Sequence, residues 1–209
     1  MNIEQAYNLW AEQYDSNHNK TRDLEAIALR ETLSDFSFNH CLEIGCGTGK
    51  NSVWLVTKAQ HLTAVDLSEE MLRVAKEKLA STNTEFIQAD INGSWTFART
   101  KYDLVTFSLV LEHIRDLEII FEKVSAVLEK GGHVYIGELH PFKQYGGSKA
   151  RFDTEEGRQE VVCFNHHVSD FVNASKKHGL EIEELVEYFD EEARVGLPRI
   201  LTLLLRKRN

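Results

Sequence analysis

The chain has 209 residues, 42% hydrophobic and 27% charged, enough to bury a sizeable core as one domain without disulfides or metals. Its formal charge of −9 opposes binding to a nucleic-acid backbone, and the nearest approach to a basic patch is the terminal run Arg206-Lys207-Arg208. No apolar stretch approaches the ~20 residues that span a bilayer. Met1-Asn2-Ile3-Glu4-Gln5 is not a secretory leader, and three cysteines without C-x-x-C spacing give neither a disulfide framework nor a zinc site, so a cytoplasmic chain with reduced thiols is expected.

Along the chain, Ile3, Ala6, Tyr7, Trp10, Ala11 and Tyr14 recur at helical spacing and form one face of a first helix, which the polar stretch 15–20 ends. A second helix starts at Thr21 with Leu24, Ile27, Ala28 and Leu33 inward. The run Cys41-Leu42-Glu43-Ile44-Gly45-Cys46-Gly47-Thr48-Gly49-Lys50 then joins a short apolar strand to three glycines at alternate positions. Those glycines permit positive φ and remove the Cβ, so a ligand can lie against the backbone. A helix over 50–59 would point its free N–H groups at the same spot. The spacing G-x-G-x-G departs from the G-x-G-x-x-G of dinucleotide binders. With Glu43 two residues ahead, it suits a hydroxylated or cationic ligand better than a pyrophosphate.

Strand two covers 61–66, and a helix over 68–80 is capped by Ser68, with Glu69 and Glu70 in its first turn. Strands three and four follow at 84–89 and 102–108. Leu117, Ile120, Phe121, Val124 and Leu128 share one face of a helix over 116–129, which stops at Gly131-Gly132 as at a glycine C-cap. Strand five covers 133–139. The next stretch, 140–167, is too long for a routine connector and is expected to be a substrate lid. A helix over 169–178, capped by Gly179, leads to strand six at 180–186 and a last strand at 200–206. The alternation implies an α/β fold: a Rossmann-like, doubly wound, mostly parallel seven-stranded sheet, preceded by helices within 1–36. Ligands then bind beyond the carboxyl ends of the strands.

Two acids stand at such ends. Asp66 closes strand two, where its oxygens can accept from a ribose diol, and Asp90 closes strand three, where it suits an exocyclic adenine amine between Leu67 and Ile91. Taken singly, each serves equally well as a cap for the next segment. Together with Glu43 and the glycines, they favour a ligand.

These motifs, with Tyr102-Asp103-Leu104-Val105, Ser108-Leu109-Val110-Leu111-Glu112-His113-Ile114 and Leu128-Glu129-Lys130-Gly131-Gly132, stand in the order and spacing of class I S-adenosylmethionine-dependent methyltransferases. The chain resembles their small-molecule branch, which includes quinone- and biotin-biosynthesis methyltransferases, strongly over residues 1 to about 139 and in outline beyond. The resemblance implies S-adenosyl-L-methionine as cofactor. Gly45, Cys46 and Gly47 would face its methionine and ribose part, Asp66 the ribose hydroxyls, and Asp90 the adenine amine between Ile91 and Leu67. Ser108 and Leu109 would meet the methionine ammonium, and Tyr14 and Arg22 its carboxylate, although Tyr14 equally fits core packing and Arg22 a surface turn. Glu43 would steady the loop or the cationic end.

Methyl transfer by in-line displacement needs no metal, and a general base only where the acceptor must lose a proton. His140, directly after strand five, and His113, after strand four, are the candidates; His140 is the better one, since His113 fits a packed or hydrogen-bonded histidine better than a catalytic one. The adjacent His166-His167 fits substrate contact, a hinge or surface. Tyr145, Phe152 and Phe164 would line an apolar pocket in the lid. The expected function is methyl transfer to an O, N or C atom of a small-molecule acceptor, by a monomer or homodimer. The alternatives are a non-catalytic S-adenosylmethionine sensor and, counted against by the glycine spacing and Asp90, a nicotinamide-dependent oxidoreductase.

Overall fold

The computed structural model describes residues 2–16, 18–79, 83–154 and 157–208. Two helices lead the chain: α1 (Ile3–Tyr14), capped by Asn2, and α2 (Lys20–Leu33), whose cap Asn19 accepts from the Thr21 and Arg22 N–H groups. Asn17, within the polar break between them, lies outside the described residues. Strands β1 (Phe38–Ile44), β2 (Ala59–Asp66), β3 (Thr84–Gln88), β4 (Tyr102–Ser108) and β5 (Leu128–Leu139) follow, with helices α3 (Ser52–Leu55), α4 (Glu69–Lys78) and α5 (Leu117–Val127) between them. Helix α6 (Pro141–Tyr145), the hairpin β6 (Arg151–Thr154) and β7 (Gly157–Glu160), and helix α7 (Val168–Lys177) precede the closing strands β8 (Leu180–Tyr188) and β9 (Ile200–Lys207).

The main sheet has seven strands in the order β3-β2-β1-β4-β5-β9-β8, parallel throughout except for β9, which runs antiparallel to both neighbours. Alternation along β1 divides the core. Leu42 and Ile44 face α5 and α7 with Phe107, Ile120 and Phe171, whereas Cys41 faces α2 and α3 with Leu29, Leu33 and Leu55. Glu43 shares the second face. The strand order turns back between β1 and β4, and a crevice opens there beyond the strand ends.

Several local expectations change. The helix over 50–59 shortens to Ser52–Leu55, because i→i−3 bonds from Thr57 and Lys58 tighten the chain into β2, which pairs with β1 from Ala59 onward. On helix α2, Ala28 and Leu33 are buried as expected and Leu24 is half-buried, but Ile27 is 47% exposed, while Arg22, Glu25, Ala26 and Leu29 turn inward. Gly131-Gly132 do not end α5. They lie within β5, where register passes from Tyr102↔Leu128 to Leu104↔His133, so five steps on β5 oppose two on β4 and the glycines occupy the resulting bulge. Ser68 caps α4 as expected, its Oγ accepting from the Met71 N–H, and Gly179 follows α7 with φ +72°. The expected end of α4 at Ala80 lies outside the described residues.

The stretch 140–167 has secondary structure of its own. Its hairpin docks on α1, Phe152 stacking on Trp10 with ring centroids 5.1 Å apart, beside Val161 and Met71; residues 155 and 156 lie outside the described ones. The terminal basic run joins the sheet edge. Arg206 and Arg208 pair with Glu183 and Glu181, and Lys207 donates to the Leu128 carbonyl at 2.8 Å. Among the described residues, no helix is long and apolar enough to cross a membrane.

Candidate functional site

The glycine turn is shaped by its φ values and by what surrounds it. Gly45 (φ +72°) lies so close to the chain after β4 that a Cβ would stand 2.2 Å from a Val110 methyl. At Gly47 (φ +53°) a Cβ would meet nothing within 4 Å, so this residue offers bare backbone to the crevice. Asp66 binds the turn to β2: its Oδ2 accepts from the Gly47 N–H and its Oδ1 from the Ser68 N–H, both at 2.8 Å. Burial raises its pKa, opposed by those N–H groups, and each oxygen keeps a further lone pair. Helix α1 closes over this region. Asn8 receives the Ser68 hydroxyl at 2.6 Å, and Asp15 that of Thr48 at 2.8 Å.

The crevice is concave and mostly apolar with a few polar groups, as small-molecule sites are. Its walls include Gly45, Gly47, Asp66, Leu67, Asp90 and Ile91, with Ser108 and Leu109 at the far end. Asp90 is exposed, and its Oδ1 accepts from the Asn92 backbone and side chain at 2.8 and 2.9 Å, so the cap and the crevice wall coexist in one residue.

A second cavity of about 410 Å³ continues past Gly45, Gly47, Ser108 and Leu109. Arg22, Tyr14, Cys46 and two buried carboxyls, Glu25 and Glu43, line it. The Arg22 guanidinium lies 3.9 Å from the Tyr14 ring centroid and donates to the Tyr14 carbonyl, so both residues belong to the site and to the core at once. Burial pushes the Tyr14 hydroxyl up to about 12, against the Arg22 charge. Glu43 accepts from the Ser52 hydroxyl at 2.5 Å, which ties β1 to α3 and steadies the turn. Glu25 accepts from Asn51 at 2.9 Å and from the Tyr135 hydroxyl at 3.1 Å. Burial raises Glu25 to about 7 and Glu43 to about 8, the latter helped by the charges of Glu25 and Asp66. Arg22 and Lys50 line the same cavity and the Lys50 charge opposes the rise at Glu25; a cationic ligand group would lower these carboxyls further.

Leu109 is the hinge between the cavities. Its φ of +59° is costly for a non-glycine residue, about 1–3 kcal/mol, and neighbouring bonds impose it. The Leu109 N–H donates to the Gly137 carbonyl at 2.8 Å, while Glu138 Oε1 accepts from the Val110 and Leu111 N–H groups at 2.9 and 2.7 Å. Burial raises Glu138 to about 8.

His113 lies on the crevice wall. Its Nδ1 is 2.8 Å from the Val162 carbonyl, which only accepts, so Nδ1 carries the proton and Nε2 accepts from the Tyr7 hydroxyl at 2.7 Å. Burial lowers the His113 pKa. Glu112, His113 and Cys163 bring ligand-type atoms within 4.8 Å of one another. Both imidazole nitrogens are already engaged, and Cys163 donates to Glu112, so the group forms a hydrogen-bonded network.

His140 is a correction to the expected general base. It is 1% exposed and absent from the walls of these cavities; its Nδ1 accepts from the Phe142 N–H at 3.2 Å and its Nε2 donates to Glu187 at 3.1 Å. Pro141 explains this, since it starts α6 and makes His140 the helix cap. His166 is buried and donates to the Leu111 and Ile114 carbonyls, whereas His167 is exposed and bonded to Tyr145. The expected apolar pocket of Tyr145, Phe152 and Phe164 does not form. Phe152 packs on Trp10, Tyr145 is 49% exposed, and Phe164 carries the Arg115 guanidinium.

Sequence reasoning missed Glu25, Glu112 and Glu138 as site residues, and Tyr7 beyond its place on a helix face. The available signal was an acid at an inward helical position: Glu25 lies three residues after Arg22 and four before Leu29.

Comparison with known proteins places this geometry. Residues 42–136 match the family profile described as a methyltransferase domain. An uncharacterized methyltransferase of Emericella nidulans is 26% identical over 226 residues, covering 87% of this chain and 76% of the relative. A ubiquinone biosynthesis O-methyltransferase of Vibrio atlanticus is 31% identical over 107 residues, or 50% of this chain and 45% of the relative, so the chain spans less than half of that protein. A solved DhpI–SAH complex superimposes with a TM-score of 0.77 at 22% identity, covering 98% of this chain and 94% of the other, and shares the fold.

Proposed function

We propose that this chain, a member of the S-adenosylmethionine-dependent methyltransferase family, transfers a methyl group to an O, N or C atom of a small-molecule acceptor. The carrying observation is the convergence of the Gly47 backbone, Asp66, Asp90 and the Ser108-Leu109 corner on one crevice that continues into a cavity with two buried carboxyls. The residues present fit the cofactor. Gly47 leaves the space that a Cβ would take, and the buried Glu25 and Glu43 share their cavity with Arg22 and Lys50, a mixed-charge lining that suits an amino-acid group. When bound, the cofactor supplies an electrophilic methyl on a sulfonium.

In this reading Asp66 holds the ribose hydroxyls, and Asp90 the adenine amine between Leu67 and Ile91. Gly45, Cys46, Gly47, Ser108 and Leu109 take the amino-acid end, with Tyr14 and Arg22 toward its carboxylate and Glu25 and Glu43 toward its ammonium. Glu138 fixes the corner at Leu109. Helix α1 excludes water from above, and holding reactants in register contributes roughly 7–11 kcal/mol to lowering the barrier. Tyr7, hydrogen-bonded to His113 Nε2, faces both the crevice and the cavity beyond it, and is the route by which His113 would take a proton from an acceptor.

That further cavity, of about 920 Å³, begins at Tyr7, Tyr14, Arg22 and Leu109 and gives an acceptor somewhere to sit. It weighs against a non-catalytic sensor. Residues 1–209 would act as one catalytic domain, in the cytoplasm, with the 140–167 segment walling the acceptor cavity. Because the Vibrio relative is named a ubiquinone biosynthesis O-methyltransferase, an acceptor with a free hydroxyl is one type to try.

Titration calorimetry with S-adenosylmethionine and with NAD tests the cofactor; saturable sulfonium binding without NAD binding is expected, and the reverse would overturn the proposal. Methyl-labelled S-adenosylmethionine incubated with a metabolite extract then identifies the labelled product.

A further inference from the structure

The cavity beyond Leu109 has a charge pattern opposite to that of the chain as a whole. The protein carries −9, yet among the described residues four cationic side chains, Arg22, Lys149, Arg151 and Arg199, reach its wall, against one acid, Glu112. They come from separate places: α2, the entry to hairpin β6–β7, and the residue before β9. Arg199 is fixed in orientation, with Nη2 donating to Asp190 at 2.7 Å and Nη1 to Thr21 at 3.2 Å. Asp190 is shared, because Lys143 and Lys20 also hold its carboxyl below the usual range, so the surroundings of Arg199 keep a cationic excess. Lys149 has only a 3.4 Å contact with Glu160, both about half exposed, and such a pair yields readily to a better anion.

Glu112 is the opposite pole. It is 6% exposed, and although Cys163 donates to the carboxyl, its Oε2 has no hydrogen-bond partner among the described residues. A buried carboxylate oxygen left bare is costly, and a donor from a ligand would relieve it. Burial raises this carboxyl to about 7, consistent with a group awaiting a donor.

We propose that this cavity takes an acceptor with two polar ends, an oxyanion group held by Lys149, Arg151 and Arg199, and an O–H or N–H group donating to Glu112 beside the cofactor crevice. The inference rests on the methyl-transfer function above and specifies its substrate class. A fork of guanidinium groups suits a planar or tetrahedral oxyanion through paired charge-assisted hydrogen bonds, so carboxylate and phosphate share the recognition chemistry.

The test loads the protein with S-adenosylhomocysteine and titrates it calorimetrically with inorganic phosphate, acetate and ethanolamine. Saturable phosphate or acetate binding is expected, phosphate ahead if the natural group is a phosphate and acetate ahead if it is a carboxylate. Removing two charge-assisted contacts in Lys149→Ala/Arg151→Ala should weaken the anion by about tenfold or more, with S-adenosylhomocysteine affinity unchanged. Both side chains are exposed, so the fold is not at risk. Glu112→Gln should leave phosphate binding intact or slightly tighter, because it removes the one acid on the wall. Equal anion binding by wild type and the double variant, or no saturable anion binding by a protein that binds S-adenosylhomocysteine normally, would overturn the oxyanion assignment alone. Failure to bind S-adenosylhomocysteine would overturn the cofactor assignment and this inference with it.

Discussion

Two glycines, two residues apart and both at positive φ, should respond to the same substitution in different ways. Alanine at Gly45 meets a left-handed backbone cost of about 1–2 kcal/mol and a steric one. Its Cβ would stand 2.2 Å from one Val110 methyl, with the other at 3.2 Å and the Val110 Cβ at 3.3 Å, so no rotamer change clears it. Val110 cannot simply retreat, since its N–H is held by Glu138 at 2.9 Å. Adding an overpacking cost of about 1–3 kcal/mol gives a total near 3.5 kcal/mol, or about 10 °C in Tm for a chain of this size. Alanine at Gly47 carries only the backbone cost, about 1.5 kcal/mol or roughly 5 °C, because its Cβ meets nothing within 4 Å. That empty space is where the cofactor should lie, so Gly47→Ala should weaken S-adenosylmethionine by at least about tenfold, the equivalent of ~1.4 kcal/mol. Scanning calorimetry and isothermal titration on the two variants, with Gly45→Ala/Val110→Ala as a partial rescue of Tm, separate the effects. Wild-type cofactor affinity in Gly47→Ala would refute the assignment of the turn as a cofactor wall, and equal Tm losses would refute the steric account of Gly45.

Three further outcomes follow from the site. Asp66→Asn keeps the shape but loses the charge and part of the acceptor capacity, so S-adenosylmethionine should bind about 30-fold or more weaker, the equivalent of ~2 kcal/mol or more; titration within threefold of wild type would sink the ribose assignment. Glu25, Glu43, Glu112 and Glu138 stand at about 7, 8, 7 and 8, against an ordinary 4.5. Between pH 4.5 and 8 the folded chain therefore holds protons that the unfolded chain has released, and stability falls as pH rises through that window, by ~1.4 kcal/mol per pH unit for each extra proton. The ligand-free protein should melt lower at pH 8.5 than at pH 6.5, and a Tm that rises over that range would contradict the buried-acid picture. His140→Asn should preserve the α6 cap at a cost of about 1 kcal/mol or less and leave the pH profile of turnover unchanged, whereas loss of its acidic limb would restore His140 as the proton acceptor.

The local chemistry of the first half was legible residue by residue. Alternating glycines, Asp66 at the end of β2, Asp90 after β3 and Ser108-Leu109 at the end of β4 all line the crevice, because parallel strands bring their carboxyl ends to one edge of the sheet. Tyr14 and Arg22, for which packing and binding competed in the sequence, pack on each other and line the second cavity. The errors share a physical cause. Ile27 fits an inward helix face by hydropathy, but α2 turns Arg22 and Glu25 inward instead, Glu25 toward hydrogen-bond partners on β5 and just before α3 that lie far away in sequence. Gly131-Gly132 resemble a helix stop until pairing with β4 makes them a bulge.

The sequence by itself determined the order of strands and helices outside 140–167 and the family they resemble, because glycine spacing and strand-end acids are local requirements of backbone geometry and ligand chemistry. Only the tertiary structure decided which histidine has access to the crevice and where an acceptor can sit. It buried His140 as a cap, linked His113 to Tyr7 across 106 positions, and gathered cations from α2, the hairpin and the start of β9 around Glu112. Such contacts join residues distant in the chain, and no periodicity in the sequence specifies which of them will meet.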